Sequence, residues 1–574
     1  MFFSRRRTRD AAWAETLPRD RLHPSVPKKS QFSNTAVVLA SFLSTLAIAL
    51  VLLARFHSSE TPAVALATPI VQDYGRFTLH PEDHIFRPAT TIKQTWRITS
   101  GTRRPDGVLK RVYLINDAFP GPTLEVRSGD RLVINVQNEL EEDEEVLIHW
   151  HGLSMRGANN MDGAASITQA PIESGRSFVY DFTIDSNQHG TFWYHSHFGT
   201  QRADGLYGGL VVHKPSESDS KGAVGAEHFL TMGDWYHRTA EEALDFYAHS
   251  GSFANEAVPD SVLLNGQGVF DCNSTVPARP VDCEQLTADN VVSLKLDGTK
   301  DNVLRVVNVG AYAGIAITVA NSVLTVLSVD GGNEVEHRKA KTVQYIQPGE
   351  RLNLLVQALA YDEDTHIKMS LDDRPFKMSN PALAKTQYLP ASWTSRPDRL
   401  ANMLEQKDEV FDLGGLKSST DQSTILPEKA DQTIVLYAKT QILSHLHNVP
   451  HGFINQTYWK PQESPPEPLI ALHRDQWDDH QLVPSIPYVP SKPLWVDVVL
   501  NNLDEEAHPF HLHGYDFWVL AGHTSMASWG SYNPFEDLQP PGGQYDLVHA
   551  IKKDTVSVPR RGYVVLRFRA DNPV

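Results

Sequence analysis

The chain has 574 residues, 41% of them apolar, with 52 basic against 69 acidic side chains and a net charge of −17. That length allows several domains with ample cores; the apolar content excludes wholesale disorder, and the acidic balance argues against nucleic acid as a partner. Only 2 cysteines are present, which excludes a disulfide-dense or cysteine-rich metal scaffold, whereas histidine, at 25, is abundant.

Residues 35–54 (TAVVLASFLSTLAIALVLLA) carry no charge. As a helix they would span the ~30 Å of a hydrocarbon core. A cleavable signal peptide is the competing reading, but 34 residues precede the run and it exceeds a usual signal core. Those residues include Arg5, Arg6, Arg7, Arg9, Arg19, Arg21, Lys28 and Lys29, while only Arg55 follows closely. The positive-inside rule then gives a single-pass membrane protein. Its parts are a cytosolic basic tail (1–34), a signal anchor (35–54), a stalk (55–70) and luminal or extracellular domains beyond. Two features agree with that side of a membrane. Asn273 (Asn-Ser-Thr) and Asn455 (Asn-Gln-Thr) are glycosylation acceptors. Cys272 and Cys283, in DCNSTVPARPVDC, could pair in an oxidising compartment; the alternative is two unrelated thiols.

From about residue 71 the sequence is β-type. LEVRSGDRLVINVQN, VLRVVNVG, ERLNLLVQA, LWVDVVLNN and TVSVPRRGYVVLRFRA alternate or cluster β-branched and apolar residues between turn formers. Similar punctuation precedes an apolar strand in SGDRLVINV, PGERLNLLV and PRRGYVVLRF. The fold class expected is all-β: three related sandwiches at 71–216, 225–375 and 429–574, with 376–428 as a connection. The acidic run 139–145 reads as a solvated hairpin tip, with substrate steering as its alternative.

Four His-x-His pairs occur: His149/His151, His195/His197, His445/His447 and His511/His513. On a strand, residues i and i+2 project from one face, so each pair could hold one metal ion or two adjacent ones. Imidazole suits copper, zinc, iron and nickel. Context separates the pairs. HWHGL follows the strand-like EVLI, GTFWYHSHFG follows an aromatic cluster, and AHPFHLHGYDFWVLAG adds His508 three residues before His511. The pair in ILSHLHNVPHG sits among polar turn residues and is not expected to bind metal. Seven histidines from two distant segments imply a metal site bridging the first and third sandwiches.

HWHG, WYHSH and HPFHLHG resemble three of the four copper-binding signatures of the multicopper oxidases, the family of laccases, ascorbate oxidases and ferroxidases. PGPTLEVRSGDRLVINVQN, MDGAASITQAPIESG and ADGLYGGLVVHKP support the likeness. The resemblance implies three cupredoxin domains and copper of types 1, 2 and 3. It implies that His508 binds the type 1 copper and that His149 and His511 bind type 2. His151, His195, His197 and His513 would be four of the six type 3 ligands. Asp162, in MDG, resembles the carboxylate that supplies protons during dioxygen reduction; its plainer reading is a turn residue before Gly163.

The fourth signature, His-Cys-His, does not occur. Blue-copper chemistry needs a Cys thiolate with two imidazoles, and neither Cys272 nor Cys283 has a histidine following closely. The expectation is a third sandwich cut short before that motif, with an unpaired edge. The function implied first is a laccase-like oxidase taking single electrons from small phenolic or aromatic substrates and reducing dioxygen to water, as in pigment or secondary-metabolite formation. A ferroxidase working beside an iron permease is the second reading. Against it, Ala203 stands before Asp204-Gly205, where yeast-type ferroxidases carry an acidic residue, and those enzymes are usually anchored at the C-terminus. An ascorbate-oxidase-like enzyme is third, on QRADGLYGGLVV. An inactive copper-binding product is the non-enzymatic alternative.

Overall fold

Period-two burial decides the architecture. In Arg131–Asn138 (RLVINVQN) the side chains of Leu132, Ile134 and Val136 point inward, while Arg131 is exposed and Val133, Asn135 and Gln137 are only partly buried. The strand pairs in parallel with Thr91–Arg103 and antiparallel with Ser177–Thr183. The computed structural model describes residues 78–572, apart from 142, 217–224, 288–289, 361–363, 398–399, 401–407, 482–483, 485 and 527–529.

The N-terminal sandwich packs a four-stranded sheet, ordered Lys110–Ile115, Thr91–Arg103, Arg131–Asn138 and Ser177–Thr183, against a second sheet of four. The second runs Leu124–Arg127, Tyr207–His213, Gly190–Ser196 and Ile148–His151. Trp96, Trp150, Tyr180 and Tyr194 fill the space between them, all fully buried. A middle region forms one continuous eleven-stranded sheet around its own aliphatic core. The C-terminal region has a six-stranded sheet and the ribbon of His508–His511 with Thr555–Val558. Its core includes Val496, Leu500, Phe517, Leu566 and Phe568, while Ile434, Leu436, Phe510 and Leu512 pack on it only partly buried.

Two expectations meet the structure differently. Residues 376–428, read as a connection, contribute strands to the middle sheet. Thr386–Trp393 alternates buried and exposed side chains and pairs antiparallel with Asp364–Leu371; Asp408–Phe411 adds to Asn333–Ile346. Its Pro, Ser and Lys content hid this alternation. The placement in a membrane is corrected. Among the described residues no helix is long and apolar enough to cross a bilayer, and the segment 35–54 on which the single-pass reading rested lies outside them. That assignment is withdrawn.

Each region touches the other two. Thr191 donates to Asn353 at 2.6 Å between the first and the middle. Arg351 meets Asp554 between the middle and the third. Asn572 donates to the Ser154 carbonyl at 2.6 Å, and Leu469 N–H to that of Ser166 at 3.1 Å, between the third and the first. Gly190 sits where backbone meets backbone: its φ is +126°, and a Cβ there would overlap Gly331 and Gly332. Gly190→Ala is expected to lower stability by about 1–3 kcal/mol in urea denaturation. Gly175→Ala, where φ is +72° and a Cβ meets nothing within 4 Å, should cost less.

Candidate metal centre

Two neighbouring strands set the first four imidazoles. In Ile148–His151, Ile148 and Trp150 enter the core, so His149 and His151 share the opposite face. Gly190–Ser196 runs antiparallel beside it with His195 opposite His149. Phe192 and Tyr194 turn into the same core, and the alternation carries His195 and His197 to the histidine side.

The remaining pair comes from the other end of the chain. His511 closes the strand His508–His511, opposite Thr555, and His513 follows it. From the His149 ring centre the distances are 5.3 Å to His195, 5.6 Å to His197, 5.5 Å to His511 and 4.0 Å to His513. His151 stacks on His511 at 3.7 Å. Six of the seven expected histidines therefore line one chamber. His508 stands apart because its odd offset from His511 puts it on the other face of the strand; it hydrogen-bonds Asp504 at 3.0 Å. His445 and His447 lie exposed on a turn and join no metal-type group among the described residues.

Hydrogen bonds fix which nitrogens face inward. His149 Nδ1 and His511 Nδ1 donate to the carbonyls of Asp162 and Asp554, each at 2.8 Å. Each Nε2 is then a bare lone pair, and the two approach to 3.4 Å. Two lone pairs at that distance repel unless a cation lies between them. His195 Nδ1 donates to the Ser196 carbonyl at 2.8 Å and His513 Nδ1 to Asp162 Oδ2 at 2.7 Å, so their Nε2 atoms are bare too. Burial pushes His151, His195, His197 and His513 below the ordinary imidazole value, which keeps them neutral and ready to ligate. Copper fits this donor set on its chemistry.

Asp162 lies between two of the rings, with Oδ1 3.3 Å from His149 Nδ1. Burial raises its carboxyl, but the imidazoles of His149 and His513 outweigh that and hold it well below the usual carboxylate range. Gly163 beside it has φ +76°, and a Cβ there would overlap the Ile148 carbonyl, so only glycine lets this turn close onto the histidine strand.

Sequence reasoning missed the groups behind the rings. Asp554 Oδ1 lies 3.6 Å from His151 Nε2 and 3.4 Å from His511 Nδ1, and Thr555 Oγ1 contacts the same two nitrogens at 2.9 and 3.2 Å. Arg351 grips Asp554 with two bonds of 2.5 Å. Asp330 receives the backbone N–H groups of Arg351, Asp554 and Thr555. Burial raises the Asp554 carboxyl, yet Arg351 overcomes this and keeps it well below its usual range. PGERL and KKDTV carried no signal beyond strand punctuation; only the fold brings them together. A second missed group includes Asp504, bonded to His508, and two further carboxyls. Glu256, hydrogen-bonded to Tyr312, and Glu506 are raised by burial, whereas in Asp504 the bond to His508 outweighs burial and lowers the carboxyl.

Comparison with known proteins agrees with this geometry. Family models described as multicopper oxidase match residues 97–217, 226–380 and 460–574. The iron transport multicopper oxidase fetC of Epichloe festucae is 32% identical over 502 residues, covering 84% of this chain and 73% of that protein. The chain belongs to the multicopper oxidase family. Laccase-1 of Cryptococcus neoformans var. grubii is 28% identical over 538 residues, covering 87% of this chain and 79% of the relative. In fold the chain is similar to Fet3p, a multicopper oxidase of iron import, with TM-score 0.67, 23% identity and coverage of 84% and 86%. It is similar likewise to the laccase of Botrytis aclada, with TM-score 0.65, 24% identity and coverage of 86% and 85%. A multicopper oxidase is a copper-dependent oxidoreductase with dioxygen as acceptor, and the family implies type 1, type 2 and type 3 copper sites.

The type 1 donor set does not fit. Cys272 and Cys283 form a disulfide in the middle region, so neither offers a thiolate to a type 1 copper. Asn273 lies exposed beside that disulfide. Asn455 is also exposed, but its amide already accepts from Tyr437 N–H and donates to the Val435 carbonyl.

Arg351→Ala leaves Asp554 charged, buried and unpaired, which should cost about 3–5 kcal/mol in chemical denaturation. Replacing Arg351 and Asp554 together by apolar residues should recover a large part of that loss.

Proposed function

We propose that this multicopper oxidase is laccase-like, coupling one-electron oxidation of phenolic or aromatic substrates to reduction of dioxygen to water. The observation that carries the reading is the pair of bare Nε2 atoms of His149 and His511 facing each other at 3.4 Å, inside a chamber of six imidazoles. His149 and His511 would hold the type 2 copper, and His151, His195, His197 and His513 four positions of the type 3 pair. Copper bound there supplies the redox chemistry that splits dioxygen.

The chain's own residues do the rest. The carbonyls of Asp162 and Asp554 hold the His149 and His511 rings in the tautomer that ligates. Asp162, kept ionised, holds His513 through Oδ2, and its Oδ1 would accept a hydrogen bond from a water that carries protons into the chamber. The side chain of His513 is 31% exposed, so water reaches the chamber on that side.

One observation favours a second reading. Asp504 hydrogen-bonds His508 and the Glu256 carboxyl interacts with the same ring, and carboxylates there also suit Fe(II). A relative of 32% identity is an iron transport multicopper oxidase, which points the same way.

Oxygen uptake by copper-loaded protein decides between them. A phenol such as 2,6-dimethoxyphenol is expected to give a higher kcat/KM than Fe(II). Strong Fe(II) preference would establish the ferroxidase, and no uptake with either reductant would leave a copper-binding protein without turnover. The copper-loaded chain should also lack the intense blue thiolate-to-copper absorption, since both cysteines are bonded to each other. A blue solution would contradict this account of the cysteines.

A further inference from the structure

Away from the copper chamber, a second group of metal-type donors lies at the edge of the N-terminal sandwich. Glu125 and His213 stand on the adjacent parallel strands Leu124–Arg127 and Tyr207–His213, where Arg127 is the register partner of His213. Two residues from that partner, Glu125 keeps the same face as His213. His213 Nε2 lies 3.0 Å from Glu125 Oε2. The segment ahead of the first long strand then folds over them. His84, in the short helix Glu82–Ile85, stacks its ring on His213 at 5.1 Å and 18°. One donor atom each from His84, Glu125 and His213 lies within 4.8 Å of the others. His80, outside that triad, reaches Glu125 from the exposed side: its backbone N–H donates to Oε2 at 2.7 Å, and its Nδ1 is 3.4 Å from Oε1.

We propose that His80, His84, Glu125 and His213 form a separate site for one borderline divalent transition-metal ion, with Zn(II) as the probe. Three imidazoles and one carboxylate are a zinc-type donor set, and ligands about 2.0–2.2 Å from a tetrahedral ion sit about 3.3–3.6 Å from each other. The separations of Glu125 from His213, 3.0 Å, and from His80, 3.4 Å, are close to that spacing, and the His84 donor atom lies within 4.8 Å of those of Glu125 and His213. Depth is graded in a way that admits an ion: His213 is 2% exposed, Glu125 17% and His80 52% in their side chains. The nearest cation does not block the site. Arg87 donates to His84 Nδ1 at 3.1 Å, but Asp130 neutralises it through two bonds of 2.8 and 2.5 Å. Bound metal would pin the segment 80–87 to the sandwich.

The test titrates Zn(II) into copper-loaded protein, with calorimetry and elemental analysis as readouts. One zinc per chain is expected beyond the copper already bound. Affinity should fall at least ~10-fold in His84→Gln and, separately, in His80→Gln. Copper content and the thermal midpoint without zinc should stay unchanged in both, because neither side chain is in the core. No zinc uptake by the parent protein, or equal uptake by parent and both variants, would overturn the proposal.

Discussion

The chamber depends on one buried ion pair, Arg351 with Asp554. Neither side chain is more than 1% exposed, and a charge so placed is tolerable only with a partner and a full set of hydrogen bonds. The pair has both. Arg351 also donates to the carbonyls of Thr191 and Gly349, and Asp330 collects three backbone N–H groups around it. A residue of the middle region thereby fixes a carboxylate of the third, which stands against one histidine from each end of the chain. Ring positions set by a hydrophobic core alone would have more freedom. Here, breaking the pair would strand a charge, so the regions dock in one arrangement.

The histidine side of this arrangement was legible in the sequence. A two-residue spacing on a strand determines a shared face, and the apolar residues between the histidines, Trp150 and Tyr194, determine which face that is. The same rule applied to His508 and His511 separates them, as the structure does. What stands behind the rings was not legible. Arg351 and Asp554 are 203 residues apart, and nothing local in PGERL or KKDTV distinguishes a buried clamp from an exposed strand end. Glu256 was invisible for the same reason: its partner Tyr312 and neighbour His508 come from other segments.

Two further mismatches have physical causes. The strand Thr386–Trp393 was hidden because polar residues face outward on an edge region, so composition suggested a connection while alternation made a strand. A run of apolar residues near the N-terminus suggested a membrane helix, but hydropathy alone fixes neither structure nor location. The cysteine count proved more informative than the composition implied.

Two distant His-x-His regions converge between the first and third sandwiches, where copper is expected to bind. Anomalous diffraction at the copper edge, from copper-loaded crystals, tests it most directly. The account predicts a peak between His149 Nε2 and His511 Nε2, with further density among His151, His195, His197 and His513. Copper absent from the chamber and bound instead at His445 and His447 would contradict it.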